Sequence, residues 1–258
     1  MSGKINNSLN KTHHFRDEMD KIVIIHHNSQ VINQIKFRLK NIKIIENKNY
    51  EMYSGEYENK RITLITTFMG ACNTGIIVDQ VISQGAEYIF KLGTFGALQD
   101  KIKIGDIYIP IGAVRSEGLT DAYAPMYYPA CPNAELFIKI FEKSKDLDIK
   151  INSGIIHSVN IYSPYYKETY NKLKYSPDEY RKINTFGVEM ECSTTFVCSN
   201  VKKAKSIAVL ICNRTWEIQD GFRKGKTVDW DKHKAEIIMK ESTKKAIDLI
   251  LETIKDLE

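Results

Sequence analysis

The segment Glu87-Tyr-Ile-Phe-Lys-Leu-Gly-Thr-Phe-Gly96 joins a short, mostly apolar run directly to a turn rich in glycine. An apolar run of this length that ends in glycine is typical of a strand buried inside a sheet. Glycine then allows the backbone to turn sharply or to approach another group closely. The segment therefore predicts a buried strand that carries Thr94 to the edge of a sheet.

Similar apolar runs recur along the chain and alternate with helical patterns. Runs rich in apolar and β-branched residues predict further strands at 21–25, 61–67, 106–111, 149–157 and 206–212. Helices are predicted at 29–39, with Ser29 as its cap, and at 76–83, 133–145 and 234–257. Strands that alternate with helices predict an α/β fold with a mixed, largely parallel central β-sheet flanked by helices.

The composition indicates one ordinary globular domain. The 258 residues include 43% hydrophobic and 27% charged residues, without an internal repeat or a linker. We expect a flexible, polar N-terminal arm over residues 1–20, followed by a single domain over residues 21–258. The net charge of +5 is scattered rather than gathered in a recognisable module, which argues against a nucleic-acid partner.

The chain shows no signal for a membrane or an oxidising compartment. No apolar run reaches the roughly 18–20 residues that a membrane span requires, and the N-terminus lacks the apolar core of a signal peptide. The five cysteines include no CxxC pair, so reduced thiols are expected rather than disulfides or a zinc site. No His, Asp and Cys set has metal-ligand spacing. We expect a cytoplasmic protein with no metal and no membrane partner.

The segment Val188-Glu-Met-Glu191 places two carboxylates in apolar surroundings. Glutamate is rarely fully buried unless another group pairs with it. Glu189 and Glu191 therefore either face water at the start of a helix or hold a ligand that is rich in hydroxyl groups. In a parallel sheet such a ligand would bind beyond the carboxyl ends of the strands.

Four blocks, taken together in their order and spacing, resemble the purine and uridine phosphorylase superfamily, and uridine phosphorylases most closely. The blocks are residues 91–98, residues 104–107 with 113–115, residues 188–191 and residues 211–215. The resemblance implies a nucleoside phosphorylase, a pentosyltransferase that cleaves a purine or pyrimidine ribonucleoside with phosphate to free base and ribose 1-phosphate. It implies no cofactor other than inorganic phosphate as co-substrate, and it implies a homo-oligomer, either a dimer or a hexamer.

The resemblance also assigns a ribose site. Glu191 would accept hydrogen bonds from the 2′- and 3′-hydroxyls, since a carboxylate matches two adjacent hydroxyl donors. Met190 would pack on the sugar face, Glu189 would support the site, and Thr94 would reach both ribose and phosphate. His14 would reach the ribose 5′-hydroxyl in a neighbouring subunit, although a disordered polar tail is an equally good interpretation of this residue.

The base site keeps only part of the family pattern. Asn213 and Arg214 occupy the positions beside the base and count with Glu191 as the catalytic candidates, and Tyr162 matches the aromatic residue that stacks on the base. A half-buried core tyrosine is an alternative for Tyr162. Asn213 cannot donate a proton as the catalytic Asp of purine phosphorylases does. Residues 164–169 lack the Gln and Arg with which uridine phosphorylases recognise uracil. The sequence therefore does not determine whether the base is a purine or a pyrimidine.

The phosphate site departs further from the family. The resemblance assigns phosphate binding to His26, Gln30, Lys48 and Lys91, together with Thr94, but Gln30, Lys48 and Lys91 stand where the family carries arginines. Lysine offers phosphate a single point charge instead of a planar fork. We expect weakened or pH-dependent use of phosphate. Two alternatives follow, a phosphate-independent nucleosidase and a weakly active or inactive nucleoside-binding homologue.

The segment from residue 216 to residue 230 contains Gly221, Lys224, Gly225 and Lys226. This composition predicts a flexible flap near the site, and an ordinary surface loop fits it equally well.

Overall fold

A computed structural model describes residues 19–45, 47, 49–161 and 177–258, except for the side chains of residues 222 and 223. The strands in these residues are β1 Ile22–His26, β2 Lys40–Ile45, β3 Met52–Tyr57, β4 Lys60–Thr66, β5 Tyr88–Ala97, β6 Ile107–Ser116, β7 Ile151–Val159, β8 Gly187–Glu189 and β9 Lys205–Arg214. The α-helices are α1 Ser29–Lys36, α2 Ala71–Ser83, α3 Ala134–Asp146, α4 Pro177–Lys182, α5 Cys192–Val201, α6 Trp216–Arg223 and α7 Lys232–Lys255. A short 3₁₀ helix spans Leu119–Ala122.

One mixed sheet joins all nine strands in the order β2-β3-β4-β1-β5-β8-β7-β6-β9, and β5 also pairs with β9. One edge of β5 is shared, because Tyr88–Lys91 pairs with β1 and Gly96–Ala97 pairs with β8. The other edge of β5 runs parallel to β9. The strands β5, β8, β7, β6 and β9 therefore close into a ring, and the α/β fold with a mixed sheet is confirmed.

Helices cover both faces of the sheet, as the buried strand pattern of β1 requires. Ile22 and Ile24 pack in a core cluster with α1, α3 and α7. Val23 and Ile25 point the other way and pack in a second cluster with α2. All five residues of β1 are buried, which explains why the strand reads as a continuous apolar run instead of an alternating one.

The helix caps follow the sequence closely. Asn133 begins α3 by accepting the N–H of Leu136, and Asp231 begins α7 by accepting the N–H of Lys234. The prediction that Ser29 caps α1 is wrong by one residue. Asn28 is the cap, since its side chain accepts the N–H of Gln30.

Several elements differ from the predicted pattern. The strands β2 and β3 were not predicted, and every residue of β2 is exposed or only partly buried, as expected of an edge strand. The segment from residue 216, predicted as a flap or loop, begins with the helix α6. Helix α5, which directly follows Glu191, was not predicted either, and eight of its ten residues are buried.

The packed domain includes residues that the sequence assigned to the N-terminal arm. Met19 is 7% exposed in the α2 cluster. The carboxylate of Asp20 accepts hydrogen bonds from Ser54 and Thr63. Within the described ranges, no helix has the length and apolar character needed to cross a membrane.

Candidate active site

An open cavity of about 140 Å³ lies where the strands β5, β7, β8 and β9 end. In α/β sheets, small molecules bind in clefts beyond the ends of the strands. Six residues that the sequence assigned to the ribose or base site line it: Thr94, Glu189, Met190, Glu191, Asn213 and Arg214. Its other lining residues are His27, Met69, Phe95, Gly96, Val159, Ile161 and Val188.

Glu189 is held by the N-terminus of helix α5. One carboxylate oxygen, Oε2, accepts the backbone N–H of Glu191 at 2.8 Å and that of Cys192 at 2.9 Å. The hydroxyl of Ser158 donates to the other oxygen, Oε1. The first N–H groups of a helix lack partners within the helix and favour a negative charge. Glu189 therefore has a supporting position, with its oxygens turned to the protein.

Glu191 lies at the cap position of the same helix and is 9% exposed. Its Oε1 accepts the backbone N–H of Gly70 at 2.8 Å, and its Oε2 lies 3.3 Å from Nζ of Lys91. Each carboxylate oxygen has two lone pairs, so capacity remains for donors in the cavity. The carboxylate is thus fixed, ionic and in contact with the open space.

Lys91 is buried behind the two glutamates. Its Nζ lies 3.4 Å from Oε2 of Glu189 as well as 3.3 Å from Glu191, and the side chain is 6% exposed. Lys91 is not among the described residues that line the cavity. Burial lowers the pKa of Lys91, but the charges of Glu191, Cys192 and Glu189 outweigh burial and raise it overall. Burial raises the pKa of Glu189, and the charge of Lys91 opposes that increase.

Thr94 and Asn213 face each other across the neighbouring strands β5 and β9. The side-chain Nδ2 of Asn213 donates to Oγ1 of Thr94 at 3.2 Å. The hydroxyl of Thr94 can then donate its hydrogen to a ligand, and Oδ1 of Asn213 can accept a hydrogen bond from one. Both polar groups lie in the same cavity as Glu191.

His26, the last residue of β1, stacks on His27, with ring centroids 4.7 Å apart. Nδ1 of His26 accepts the N–H of Asn28, so the neutral ring carries its hydrogen on Nε2. Burial, together with the charges of His27 and Lys91, lowers the pKa of His26 well below its ordinary value. Burial and Lys91 also lower the pKa of His27, while Glu191 opposes the shift. Both rings are therefore neutral at pH 7.

The predicted phosphate ligands are dispersed in the structure. His26 is 6% exposed and lies beneath His27, and Gln30 is exposed in the first turn of α1. Neither belongs to the described residues that line the cavity. His14, Lys48 and Tyr162 lie outside the described residues, so their roles stay predictions.

A chain of buried hydrogen bonds behind Glu189 was not visible in the sequence. The N–H of Ser193 donates to Oγ of Ser158 at 3.0 Å, and the hydroxyl of Ser193 donates to Glu117 at 2.7 Å. Glu117 is 4% exposed and also accepts from the hydroxyl and the N–H of Thr120. The only sequence signal for these hydrogen bonds is a run of small polar residues after Cys192. Such a run is typical of the start of a buried helix as well as of a loop.

The site brings three kinds of group to one cavity: the buried carboxylate of Glu191, the hydrogen-bonded pair Thr94 and Asn213, and the cation of Arg214. A carboxylate such as Glu191 can hold two adjacent hydroxyl groups and can stabilise positive charge that develops on a bound sugar. Thr94 can donate to an anion or to a sugar oxygen. Asn213 and Arg214 can contact a further group on the far side of the ligand.

Comparison with known proteins finds that the sequence is similar to one family. A family model described as "Phosphorylase superfamily" matches residues 21–253. A guanosine phosphorylase of Halorubrum lacusprofundi is 27% identical over 186 residues, which cover 72% of this chain and 73% of the relative. A uridine phosphorylase of Treponema pallidum is 28% identical over 173 residues, which cover 66% of this chain and 67% of the relative.

Solved structures share the fold. The crystal structure of uridine phosphorylase from Vibrio fischeri has a TM-score of 0.81 and 24% identity, and the match covers 96% of this chain and 99% of that one. The crystal structure of purine nucleoside phosphorylase from Toxoplasma gondii in complex with immucillin-H also has a TM-score of 0.81, with 18% identity, and covers 99% of this chain and 98% of that one.

Proposed function

Since the chain belongs to the phosphorylase superfamily, which includes purine and uridine phosphorylases, we propose that it catalyses the phosphorolysis of a ribonucleoside. The observation that carries this proposal is the position of Glu191. Its carboxylate is almost completely buried, is fixed by Gly70 and Lys91, and lines one cavity with Thr94, Asn213 and Arg214. A glutamate that faced bulk water would not support a sugar site.

In the proposed reaction the bond between C1′ and the base nitrogen breaks, and its electron pair leaves with the base. An oxygen of dihydrogen phosphate bonds to C1′, and the proton that phosphate loses goes to the base nitrogen. The products are the free base and ribose 1-phosphate. Positive charge develops on the ribose in the transition state of such a cleavage, and the negative charge of Glu191 favours it.

Each cavity residue has a proposed role. Glu191 accepts the 2′- and 3′-hydroxyls of ribose, Met190 packs on the sugar, and Glu189 supports Glu191 through the N-terminus of α5. Thr94 donates to phosphate or ribose. Asn213 and Arg214 contact the base, to which Tyr162 adds a stacking surface. Holding the reactants in this order supplies much of the rate enhancement in reactions of this kind.

The proposal leaves purine and pyrimidine bases as candidates, because the similar proteins include a guanosine phosphorylase as well as uridine phosphorylases. Inorganic phosphate is the proposed co-substrate, with no metal or organic cofactor and no nucleic-acid or membrane partner. We also propose a cytoplasmic homo-oligomer, a dimer or a hexamer, in which His14 and Lys48 serve a neighbouring site. Light scattering of the purified protein tests the assembly.

The test is an activity screen over inosine, guanosine, adenosine and uridine, at high phosphate and without phosphate. We expect turnover of at least one nucleoside that depends on phosphate and yields ribose 1-phosphate. Glu191→Ala should lower kcat/KM by at least about 100-fold, as removal of a charge-stabilising group does in other enzymes. Glu236→Ala, which changes an exposed glutamate on α7, is the matched control and should retain full activity.

A second candidate, a nucleosidase that uses water, is favoured by the surroundings of Lys91. This cation is already paired with two carboxylates, and the nearby histidines are held neutral. Release of free ribose at the same rate with and without phosphate would establish it. Binding of a nucleoside in calorimetry without any turnover would instead identify a nucleoside-binding homologue. If no nucleoside binds or reacts, both enzymatic candidates are wrong.

A further inference from the structure

The surroundings of Lys91 differ from those of a lysine that is free to bind an anion. Its ammonium lies 3.4 Å from Glu189 and 3.3 Å from Glu191, so two carboxylates already share one positive charge. A third anion would have to compete with both of them at short range. The side chain is 6% exposed, which leaves little surface for a ligand to reach.

The backbone at Gly93 leaves room for the ammonium of Lys91 beside the two glutamates. A Cβ atom on Gly93 would lie 2.6 Å from Nζ of Lys91, a distance that real side chains do not tolerate. The lysine side chain lies over Gly93 on the same strand, and its ammonium points to the glutamates. A side chain at residue 93 would therefore push the ammonium of Lys91 out of its present position.

The two carboxylates need such a cation. Glu189 ends β8, Glu191 caps α5, and both are almost completely buried. Two neighbouring carboxylates in a buried site cannot both stay ionised without compensation. The helix N-terminus and Ser158 stabilise Glu189, while Gly70 stabilises Glu191. Among the residues that the structure describes, Lys91 supplies the positive charge that contacts both of them.

We propose that Lys91 is a positioning residue of the ribose site, the common counter-ion of Glu189 and Glu191, and that it is not a ligand of phosphate. This inference rests on the proposed function of Glu191. Lys91 holds the two carboxylates ionised and oriented, and Glu191 in turn contacts the sugar. Phosphate is then held by other groups, among them Thr94.

The inference is tested with Lys91→Met, which removes the charge and keeps a chain of similar volume. Binding of inosine, guanosine, adenosine and uridine is measured by calorimetry without phosphate. Affinity for the nucleoside that wild type binds should fall at least about ten-fold, as expected when a charged hydrogen-bond partner is lost. The KM for phosphate should change less than about two-fold. A large increase in the KM for phosphate with unchanged nucleoside affinity would overturn the inference.

The pH profile separates this role from a general effect on folding. Without the counter-ion, one of the carboxylates should take up a proton at a higher pH, so the acidic limb of kcat/KM should move to higher pH in Lys91→Met. The other titratable groups that face Lys91 are His26, His27 and Cys192. Replacing His27 with Gln in both backgrounds shows whether its titration accounts for the shift, which would contradict the role of the carboxylates.

Two further variants keep the test decisive if Lys91→Met folds poorly. Lys91→Arg retains the charge and should retain part of the nucleoside affinity. Gly93→Ala leaves the charge but displaces the ammonium, and it should weaken nucleoside binding in the same direction. Lys150→Met, at an exposed lysine, is the control. Equal binding by wild type and all variants refutes this inference alone, whereas failure of wild type to bind any nucleoside refutes the proposed function.

Discussion

The backbone N–H of Gly70 donates to Oε1 of Glu191 at 2.8 Å, across a separation of 121 residues. Gly70 precedes α2 with φ of +100° and ψ of 159°, a conformation that glycine adopts readily and other residues do not. The Glu191 carboxylate is thus oriented by a backbone group whose direction depends on a glycine. This contact ties the loop before α2 to the start of α5.

Gly70→Ala should weaken nucleoside binding. Alanine at this φ introduces strain of roughly 1–3 kcal/mol, and relief of that strain turns the N–H away from Glu191. We expect the nucleoside Kd to rise about ten-fold, since hydrogen bonds to charged groups contribute about 1.5–3 kcal/mol. The control is Gly85→Ala, where φ is +107° and the residue lies between α2 and β5. Gly85→Ala should lower the melting temperature without changing Kd, and an equal loss of affinity in both variants would contradict the role of Gly70.

Ser158→Ala should affect stability and activity together. The Ser158 hydroxyl donates to Glu189 and accepts the N–H of Ser193, and all three residues are buried. Its removal leaves a buried donor and a carboxylate oxygen without their partner, which costs about 1–3 kcal/mol in the free energy of unfolding. Urea denaturation measures this change, and kcat should decrease because Glu189 supports Glu191. Ser153→Ala, at an exposed position on the same strand, should alter neither quantity.

His157 should make the protein sensitive to acid. It is 7% exposed, its ring packs at a tilt against that of Tyr180 with centroids 3.7 Å apart, and Nε2 has no partner among the described residues. Burial lowers the pKa of His157 from 6.5 to about 4. The unfolded chain therefore binds a proton below pH 6.5 that the folded protein does not bind until about pH 4. Stability is lost as the pH falls through this window.

Between pH 7.5 and pH 5.0 this group should remove about 2 kcal/mol from the free energy of unfolding. His157→Phe retains an aromatic ring against Tyr180 and cannot take up a proton. Urea denaturation at both pH values should therefore show a smaller acid-induced loss in His157→Phe than in wild type. An identical loss in the two proteins would show that His157 titrates normally.

Local pattern was sufficient to predict most of the architecture. The β-branched run of β1 and the three- and four-residue steps of α7 are decided by residues close in sequence, and both elements are found nearly where they were predicted. The strand β2 was missed because it is an exposed edge whose Lys and Ile side chains follow no core pattern. Helix α5 was missed because it is buried nearly all round and so has no polar face.

The candidate site was predicted as a set of residues but not as a set of contacts. The segment 188–191 and the pair Asn213 and Arg214 lie in one cavity, as expected for positions just after strands. The orientation of the Lys91 side chain was not predictable from the sequence. The side chain lies over Gly93 and reaches glutamates that are about one hundred residues away along the chain. The buried hydrogen bonds around Glu117 were not predictable for the same reason, since they connect the end of β6 with β7 and α5.

The shared edge of β5 has a consequence for how the protein acquires activity during synthesis. Thr94 lies on β5 and Glu191 follows β8, so the two can meet only after the segment that contains β8 has been synthesised and β8 has paired with the shared edge of β5. Contacts between such distant segments form slowly compared with local helices. A refolding chain would thus regain helical content before the proposed site is complete, and recovery of the proposed activity would mark the final closure of the strand ring.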